Sequence, residues 1–378
     1  MSEPDDGNCP IRVCFVVNAI GETSVPGDIA AGIIQHTDVE VDVLAWWQAD
    51  EFHREETPDI IEIGAPDTRL GLDKTTYRKC LDLFADYDLV QAHHCHSGSL
   101  AKIIARHSGT PTVSREGNMR RGFTREGRIA NGLTNPLSSR VVCNSNAVYR
   151  SFRRWERLLL DESRVEIIPN GVDVDRIDDA IGKPLPGVPS EILTADVLVG
   201  SAGMLTPQKD HETLIRAVAG ANEFLDRDVA LVIAGEGDLR GSLEELANEL
   251  GIGDSVHILG LVEREVVYAM LHQIDVYCMP SRWEGFSAAA VEAIASETPC
   301  IFSDISAFTI PYENVALFHP VGDHAALSKR LVELVGDAEK ARDLASAGRH
   351  LVESTYTIER ISNAYADLYR DVLDRPGE

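Results

Sequence analysis

Lysine and basic charge in general are scarce in this chain: seven of its 35 basic residues are lysine and the rest arginine, against 61 acidic residues, for a formal net charge of −26. A general nucleic-acid binder, which needs a basic surface, is disfavoured by that sign. Also missing is any apolar run near the ~18–20 residues that a bilayer span requires, and the first ten residues, MSEPDDGNCP, are acidic where a signal peptide would be basic. The expectation is a cytoplasmic protein, peripheral at most to the inner face of a membrane. The seven cysteines, Cys9, Cys14, Cys80, Cys95, Cys143, Cys278 and Cys300, form no Cys-x-x-Cys pair and are odd in number. They read as reduced, mostly buried thiols, and although Cys95 lies between His94 and His96, no second cluster at ligand spacing follows, so no metal is expected. Repeats of 20–50 residues and low-complexity tails are absent as well. Acid excess with lysine scarcity suggests a salt-rich, halophilic cytoplasm, where counterions screen the self-repulsion, and predicts stability that rises with salt.

What remains is an ordinary globular composition over 378 residues, long enough for two domains. Short β-branched runs alternate with helical patterns: IRVCFVVN at 11–18, VDVLAW at 41–46, DLVQAH at 88–93, TPTVSR at 110–115 and RVVCNS at 140–145. After IGKPLPGVP at 181–189 the alternation resumes with VLVGSAG at 197–203, DVALVIAGEG at 228–237, SVHILG at 255–260, DVYCMPS at 275–281 and TPCIFSD at 298–304. Such alternation builds parallel α/β sheets, and the expected fold is two doubly wound, Rossmann-like domains facing across a cleft. The expected boundaries are 1–170, 171–355 and a C-terminal helix in 356–378 that returns to the first domain; Ile361, Ala364, Leu368 and Val372 give it an apolar face. Ligands of doubly wound sheets sit beyond the carboxyl ends of the strands.

The strongest local signal is DVYCMPSRWEGFSAAAVEAIASETP at 275–299, a strand, a loop and a helix expected to start near Gly285. Placed two turns apart on such a helix, Glu284 and Glu292 would share a face, beside free amides of Gly285, Phe286 and Ser287 that suit an anion. A sugar diphosphate fits that combination; an amphipathic core helix with one solvated Glu accounts for the same spacing. SAGMLTPQKDHETLIRAVA at 201–219 brings Lys209 onto a short loop after Gly203. Lys209 either faces a diphosphate leaving group or is a surface lysine paired with Asp210 or Glu212.

Together with IIPNGVD at 167–173, LVIAGEG at 231–237 and VHILG at 256–260, these segments resemble the retaining glycosyltransferases of family 4, whose architecture is GT-B. The matching stretches, in the family's order and spacing, cover most of 165–305. The resemblance implies a nucleotide-sugar donor held by the second domain, transfer with retention of anomeric configuration, and neither metal nor cofactor. It places Glu284 on the donor sugar, Glu292 on the ribose and Lys209 on the diphosphate, assisted by Gly203 and the backbone of 285–287, with Glu284 and Lys209 as the catalytic pair. One departure stands out: the family's arginine after the residue matching Gly203 is replaced by Met204. In the first domain Gly21, or else Gly27, stands for the glycine that lets a loop approach the donor. His94 and His96 resemble an acceptor-side loop, or are polar strand-end histidines. Glu116, with Arg120 nearby, occupies the place of an active-site histidine on the acceptor side.

Residues 106–157 hold 11 arginines, no lysine and three acids, a local charge of +8 that leaves −34 for the remainder. Arginine forks suit phosphates and carboxylates. The segment points to a phosphorylated, acidic-sugar or lipid-linked acceptor, or to an anionic membrane approached by RSFRRWERLLL at 150–160; pairing with the chain's own acidic surfaces is the plainer account. LVIAGEGDLRG at 231–241 imitates a dinucleotide fingerprint, but its glycines run G-x-G-x-x-x-G and no acid ends the next strand, which argues against an oxidoreductase. The expected activity is transfer of a hexose-type sugar from a nucleotide diphosphate to a hydroxyl of a glycan, lipid or small molecule. A sugar-nucleotide epimerase, a phosphorylase and a non-catalytic sensor are the alternatives.

Overall fold

Strands that read as nearly continuous apolar runs are buried on both faces, as parallel strands covered by helices on either side must be. In the computed structural model, which describes residues 10–374 apart from positions 55, 69, 70, 94, 95 and 226, they form two all-parallel sheets. The chain divides into two compact units. The first runs to Gly171 and takes up the chain again from Ile358, and the second spans Val172–Thr357.

In the first unit, β1 (Arg12–Ile20), β2 (Glu40–Ala49), β3 (Asp59–Glu62), β4 (Leu89–His93), β5 (Thr112–Glu116), β6 (Arg140–Cys143) and β7 (Val165–Ile167) lie in the order β3-β2-β1-β4-β5-β6-β7. The order reverses between β1 and β4. The C-terminal helix Ile358–Asp374 closes one face through Ile361, Tyr365, Leu368, Tyr369 and Val372, all buried against β-strand residues and the helix Val25–His36. Gly32 of that helix admits it: a Cβ there would fall 2.4 Å from Ile358. Polar ties fix its register, with Tyr369 donating to Gln91 at 2.8 Å and Arg115 Nε to the Tyr365 hydroxyl at 3.1 Å.

In the second unit, β8 (Val197–Ala202), β9 (Val229–Ala234), β10 (Val256–Gly260), β11 (Val276–Met279), β12 (Cys300–Ser303) and β13 (Leu317–His319) lie in the order β10-β9-β8-β11-β12-β13. The strand order reverses between β8 and β11, so the loops leaving these two strands diverge and open a crevice, the usual ligand site of such sheets. Among the described residues, no helix is long and apolar enough to cross a membrane, and the cysteines described, 14, 80, 143, 278 and 300, are buried free thiols.

Candidate active site

Both loops at that reversal belong to the singled-out segments, 203–210 after β8 and 280–287 after β11. The first is pressed against the loop after β9. Gly203 donates to Ala234 O at 2.9 Å, Leu205 to Glu236 O at 2.9 Å and Leu239 to Leu205 O at 3.2 Å. A Cβ on Gly235 would stand 1.9 Å from Gly203 O. Two of the three glycines that imitate a dinucleotide fingerprint, Gly235 and Gly237, are thus consumed by the approach of two backbones. Gly203 itself has φ +152°, and the Lys209 side chain passes over it, its Cε 3.1 Å from where a Cβ would be. Glycine at 203 clears the path by which Lys209 turns back across its own loop.

Lys209 reaches Glu284: its Nζ lies 2.6 Å from Glu284 Oε1, with side-chain exposures of 18% and 7%. Neither Asp210 nor Glu212 is its partner in this ion pair. Ser281 Oγ donates to the same carboxylate oxygen at 2.9 Å, while Gln208 Nε2 donates to Trp283 O at 3.0 Å and to Glu284 Oε2 at 3.3 Å. Ser303 Oγ holds Ser281 O at 2.5 Å, which anchors the loop to β12. A carboxylate gripped by three neighbours has lost its rotamer freedom before any ligand arrives, which is what a positioned active-site group requires.

Arg282 was not foreseen from sequence. Its amide donates to Gln208 O at 2.8 Å, and its Nη2 lies 3.1 Å from Asp210 Oδ1 on a half-exposed side chain. Asp210 is buried, adopts the left-handed region at φ +55° just before the helix His211–Asn222, and accepts from the Thr213 hydroxyl at 2.9 Å. Arg282 therefore adds a second cation to the loop pair, while Met204, where the family carries arginine, turns outward at 66% exposure. The signal available in the sequence was the vacancy at 204 together with an arginine two residues before Glu284. His211, beside Lys209, is pushed down to about 4 by burial and by the Lys209 charge.

The helix after β11 starts later than expected. It spans Ala288–Ala295 with Ser287 as its N-cap, the Ser287 hydroxyl accepting from Ala290 N at 3.3 Å. Glu284, Gly285 and Phe286 belong to the loop, so Glu284 and Glu292 are not two turns apart on one helix. Ser287 ends the segment because its short polar side chain caps better than it continues. Phe286 packs near Tyr356, ring centroids 5.8 Å apart. Glu292 is buried, accepts from the Tyr268 hydroxyl at 3.3 Å and lies 3.4 Å from Arg264 Nε; it is no solvated helix residue. Both carboxylates nonetheless bear on one buried group: the Tyr277 phenol is raised far above its ordinary value by burial first, then by Cys300, Glu292 and Glu284, and it donates to Ala202 O at 3.4 Å.

In the first unit the candidates are less concentrated. Gly21 follows β1, and a Cβ there would make only ordinary contact with Asp50 at 3.6 Å, whereas glycine at 27 is required by the Phe52 ring, 2.5 Å from a Cβ. His94, like Cys95, lies outside the described residues. His96 precedes the helix Ser97–Ser108 and stacks at a tilt on Trp47, centroids 5.3 Å apart.

Glu116 and Arg120 do not stand ready for an acceptor. Their side chains are 1% and 2% exposed and pair at 2.7 Å. Arg120 Nε donates to Glu156 at 2.7 Å, and its guanidinium sits 3.9 Å from the Phe152 centroid. Glu116 accepts further from Asn135 at 3.0 Å and Ser114 at 3.2 Å, while Lys102 donates to Asn135 at 2.5 Å and Ser114 at 3.1 Å. Glu116, expected on the acceptor side, has its lone pairs committed inside the unit. Burial alone would raise its carboxyl, but the charges of Arg120 and Lys102 and the hydrogen bonds from Arg120 and Asn135 outweigh it and bring it down to about 2.

Known proteins resemble this chain in sequence and in fold. Residues 189–351 match the family described as Glycosyl transferases group 1, and residues 28–176 match Glycosyltransferase Family 4. A phosphatidyl-myo-inositol mannosyltransferase of Mycobacterium leprae is 30% identical over 272 residues, 71% of this chain and 69% of the relative. UDP-Gal:alpha-D-GlcNAc-diphosphoundecaprenol alpha-1,3-galactosyltransferase of Escherichia coli is 26% identical over 302 residues, 76% of each chain. Among solved structures, HepE of Anabaena in complex with UDP superimposes with a TM-score of 0.77 at 15% identity, covering 96% of this chain and 100% of its own. Sucrose-phosphate synthase of Thermosynechococcus elongatus gives 0.76 at 18% identity, covering 96% and 99%. From matches that take in both units, and from two parallel sheets of the GT-B kind, it follows that this chain belongs to the family 4 glycosyltransferases.

Proposed function

We propose that the second unit holds a nucleotide-diphosphate sugar at the β8–β11 reversal, and that the enzyme transfers the sugar with retention and without a metal to a hydroxyl of a glycan, lipid-linked or phosphorylated acceptor. The observation that carries this reading is the Lys209–Glu284 pair at 2.6 Å, which joins the two loops flanking the crevice. In the reaction the bond between the anomeric carbon and the diphosphate oxygen breaks, and a bond from that carbon to the acceptor oxygen forms on the same face. The acceptor proton passes to the departing phosphate. Negative charge grows on the diphosphate, and Lys209, the amides of 285–287 and Arg282 are the groups that neutralise it. Arg282 takes over from the arginine that Met204 replaces. Glu284 orients the sugar, and Glu292 accepts from the ribose hydroxyls after exchanging its contact with Tyr268.

The names of relatives support this choice of substrates: HepE is described with UDP and with UDP-glucose, the galactosyltransferase with UDP-Gal and a diphosphoundecaprenol, and the mannosyltransferase with phosphatidyl-myo-inositol. Peripheral contact with an anionic membrane belongs to the same reading. Epimerase, phosphorylase and sensor activities are not favoured by any of these observations.

A thermal-shift panel of nucleotide sugars, followed by nucleoside diphosphate release with candidate acceptors, tests the reading directly. Glu284→Gln is expected to lower release by roughly 10²–10³-fold, the scale of losing a positioned electrostatic group, with an unchanged circular dichroism spectrum. Wild-type turnover in that variant would remove Glu284 from the mechanism. Product anomeric configuration by NMR and turnover in excess chelator check retention and metal independence.

A further inference from the structure

The +8 segment at 106–157 becomes more basic at its surface than its sequence suggests, because folding hides its acids selectively. Glu116 and Glu156 are buried on Arg120, which leaves Glu126 as the segment's exposed acid, while seven of the eleven arginines, among them Arg125, Arg154 and Arg157, are exposed. Elsewhere surface arginines are commonly matched to acids, as Arg240 is to Glu236 and Glu244 or Arg349 to Asp178 and Glu353. The plain account, that these arginines serve the chain's own acidic surfaces, fits Arg140, which pairs with Asp371, whereas Arg125, Arg154 and Arg157 are turned to the outer face.

The same face carries exposed aliphatic side chains. On the helix Arg125–Thr134 and the turn Asn135–Leu137, the residues Ile129, Leu133 and Leu137 follow one another at intervals of four, one line along the helix, with Leu133 57% exposed. The adjoining helix Arg154–Leu159 presents Leu158 at 76% and Leu159 at 51%. The two helices are neighbours: a Cβ on Gly132 would stand 2.4 Å from the Trp155 ring and 2.9 Å from Glu156. Clustered exposed leucine and isoleucine in a soluble surface marks an interaction site. Arginines ringing aliphatic residues match lipid phosphates over acyl chains. Single-stranded nucleic acid would instead call for exposed aromatic rings among the cations.

We propose that the face formed by Arg125–Thr134, Asn135–Leu137 and Arg154–Leu159 docks on an anionic lipid bilayer, with arginines on the phosphates and Leu133, Leu158 and Leu159 entering the headgroup boundary. This deepens the reading of a transferase that contacts a membrane and rests on it.

The test is sedimentation of the full-length protein with sucrose-loaded vesicles of phosphatidylcholine, with or without about 30% phosphatidylglycerol, at about 0.1 M salt. Pelleting is expected with the anionic vesicles alone. Arg154→Glu/Arg157→Glu should weaken partitioning by at least about tenfold, since each basic residue near such a surface is worth about 1 kcal/mol. Leu133→Ser/Leu158→Ser should likewise lower pelleting with the anionic vesicles, and raising the salt to about 1 M, where screening shortens to ~3 Å, should release the wild-type protein. All four positions are exposed, and melting curves confirm that the variants fold. Wild-type protein that stays in the supernatant, or pellets equally with neutral vesicles, overturns both the docking face and the membrane contact. Variants that pellet like wild type overturn the face while the membrane contact stands. Nucleoside diphosphate release with a soluble acceptor, measured in parallel, reports separately on the transferase itself.

Discussion

Lys209 illustrates how a single residue's meaning depends on what lies under it. In sequence it is a lysine beside two acids, open to a diphosphate-facing role or to a surface pairing with Asp210 or Glu212 that would give it little to do. It instead crosses Gly203 to reach Glu284 at 2.6 Å, and it can do so because residue 203 has no side chain. Gly235 performs the matching service from the next strand by letting the Gly203 carbonyl approach. Gly235→Ala forces a contact of 1.9 Å to open, and overpacking of this kind costs about 1–3 kcal/mol. The expected result is a lower urea midpoint together with weaker nucleotide-sugar binding, because the displaced loop is the one that bears Lys209. A Gly235→Ala protein with unaltered donor affinity would separate the glycine from the site. Glu116 shows the opposite outcome. Its position in sequence suggested chemistry, but the structure commits every acceptor it has to Arg120, Asn135 and Ser114.

Among the elements, those that the sequence announced clearly are the central strands. IRVCFVVN and DVALVIAGEG are apolar because β1 and β9 are covered on both faces, and burial is what writes such a pattern. The strands not announced, β3, β13 and most of β7, lie at sheet edges, three or four residues each. An edge strand has one neighbour and half the burial, so its residues are under weaker compositional constraint. The helix at 288–295 shifted for a different reason, since Ser287 can cap only if the helix begins after it. The terminal helix was legible from its apolar spacing and was expected to return to the first domain, while the strand and helix residues that it packs on came from tertiary structure. Tyr365 is fully buried there, and Tyr365→Ala should cost about 3–5 kcal/mol, the usual loss for a large buried ring. Denaturant unfolding followed by probes in each unit should show that loss in the first unit alone.

At the scale of the whole molecule, acid is the condition that the fold resists least. His211 is held neutral, its value depressed from 6.5 to about 4, and His319 is lowered by burial. Glu116 is depressed from 4.5 to about 2. In each case the folded form binds its proton less readily than the unfolded chain. The stability they confer is therefore complete above about pH 6.5, declines as the histidines charge between about pH 6.5 and 4, and falls further as Glu116 protonates below about pH 4.5. Urea midpoints measured at pH 7.5, 5 and 3.5 should decrease in that order; a flat profile would contradict it. The amino-acid sequence by itself determined the two parallel α/β sheets, the loops after β8 and β11 and the identities of Lys209 and Glu284, because strand burial and tight turns impose patterns on neighbouring residues. Tertiary structure alone decided that Arg282 pairs with Asp210 across the two loops, that Glu116 is buried on Arg120 and that Glu156 is hidden beside them. Those outcomes depend on contacts between residues tens of positions apart, which leave no periodic trace along the chain.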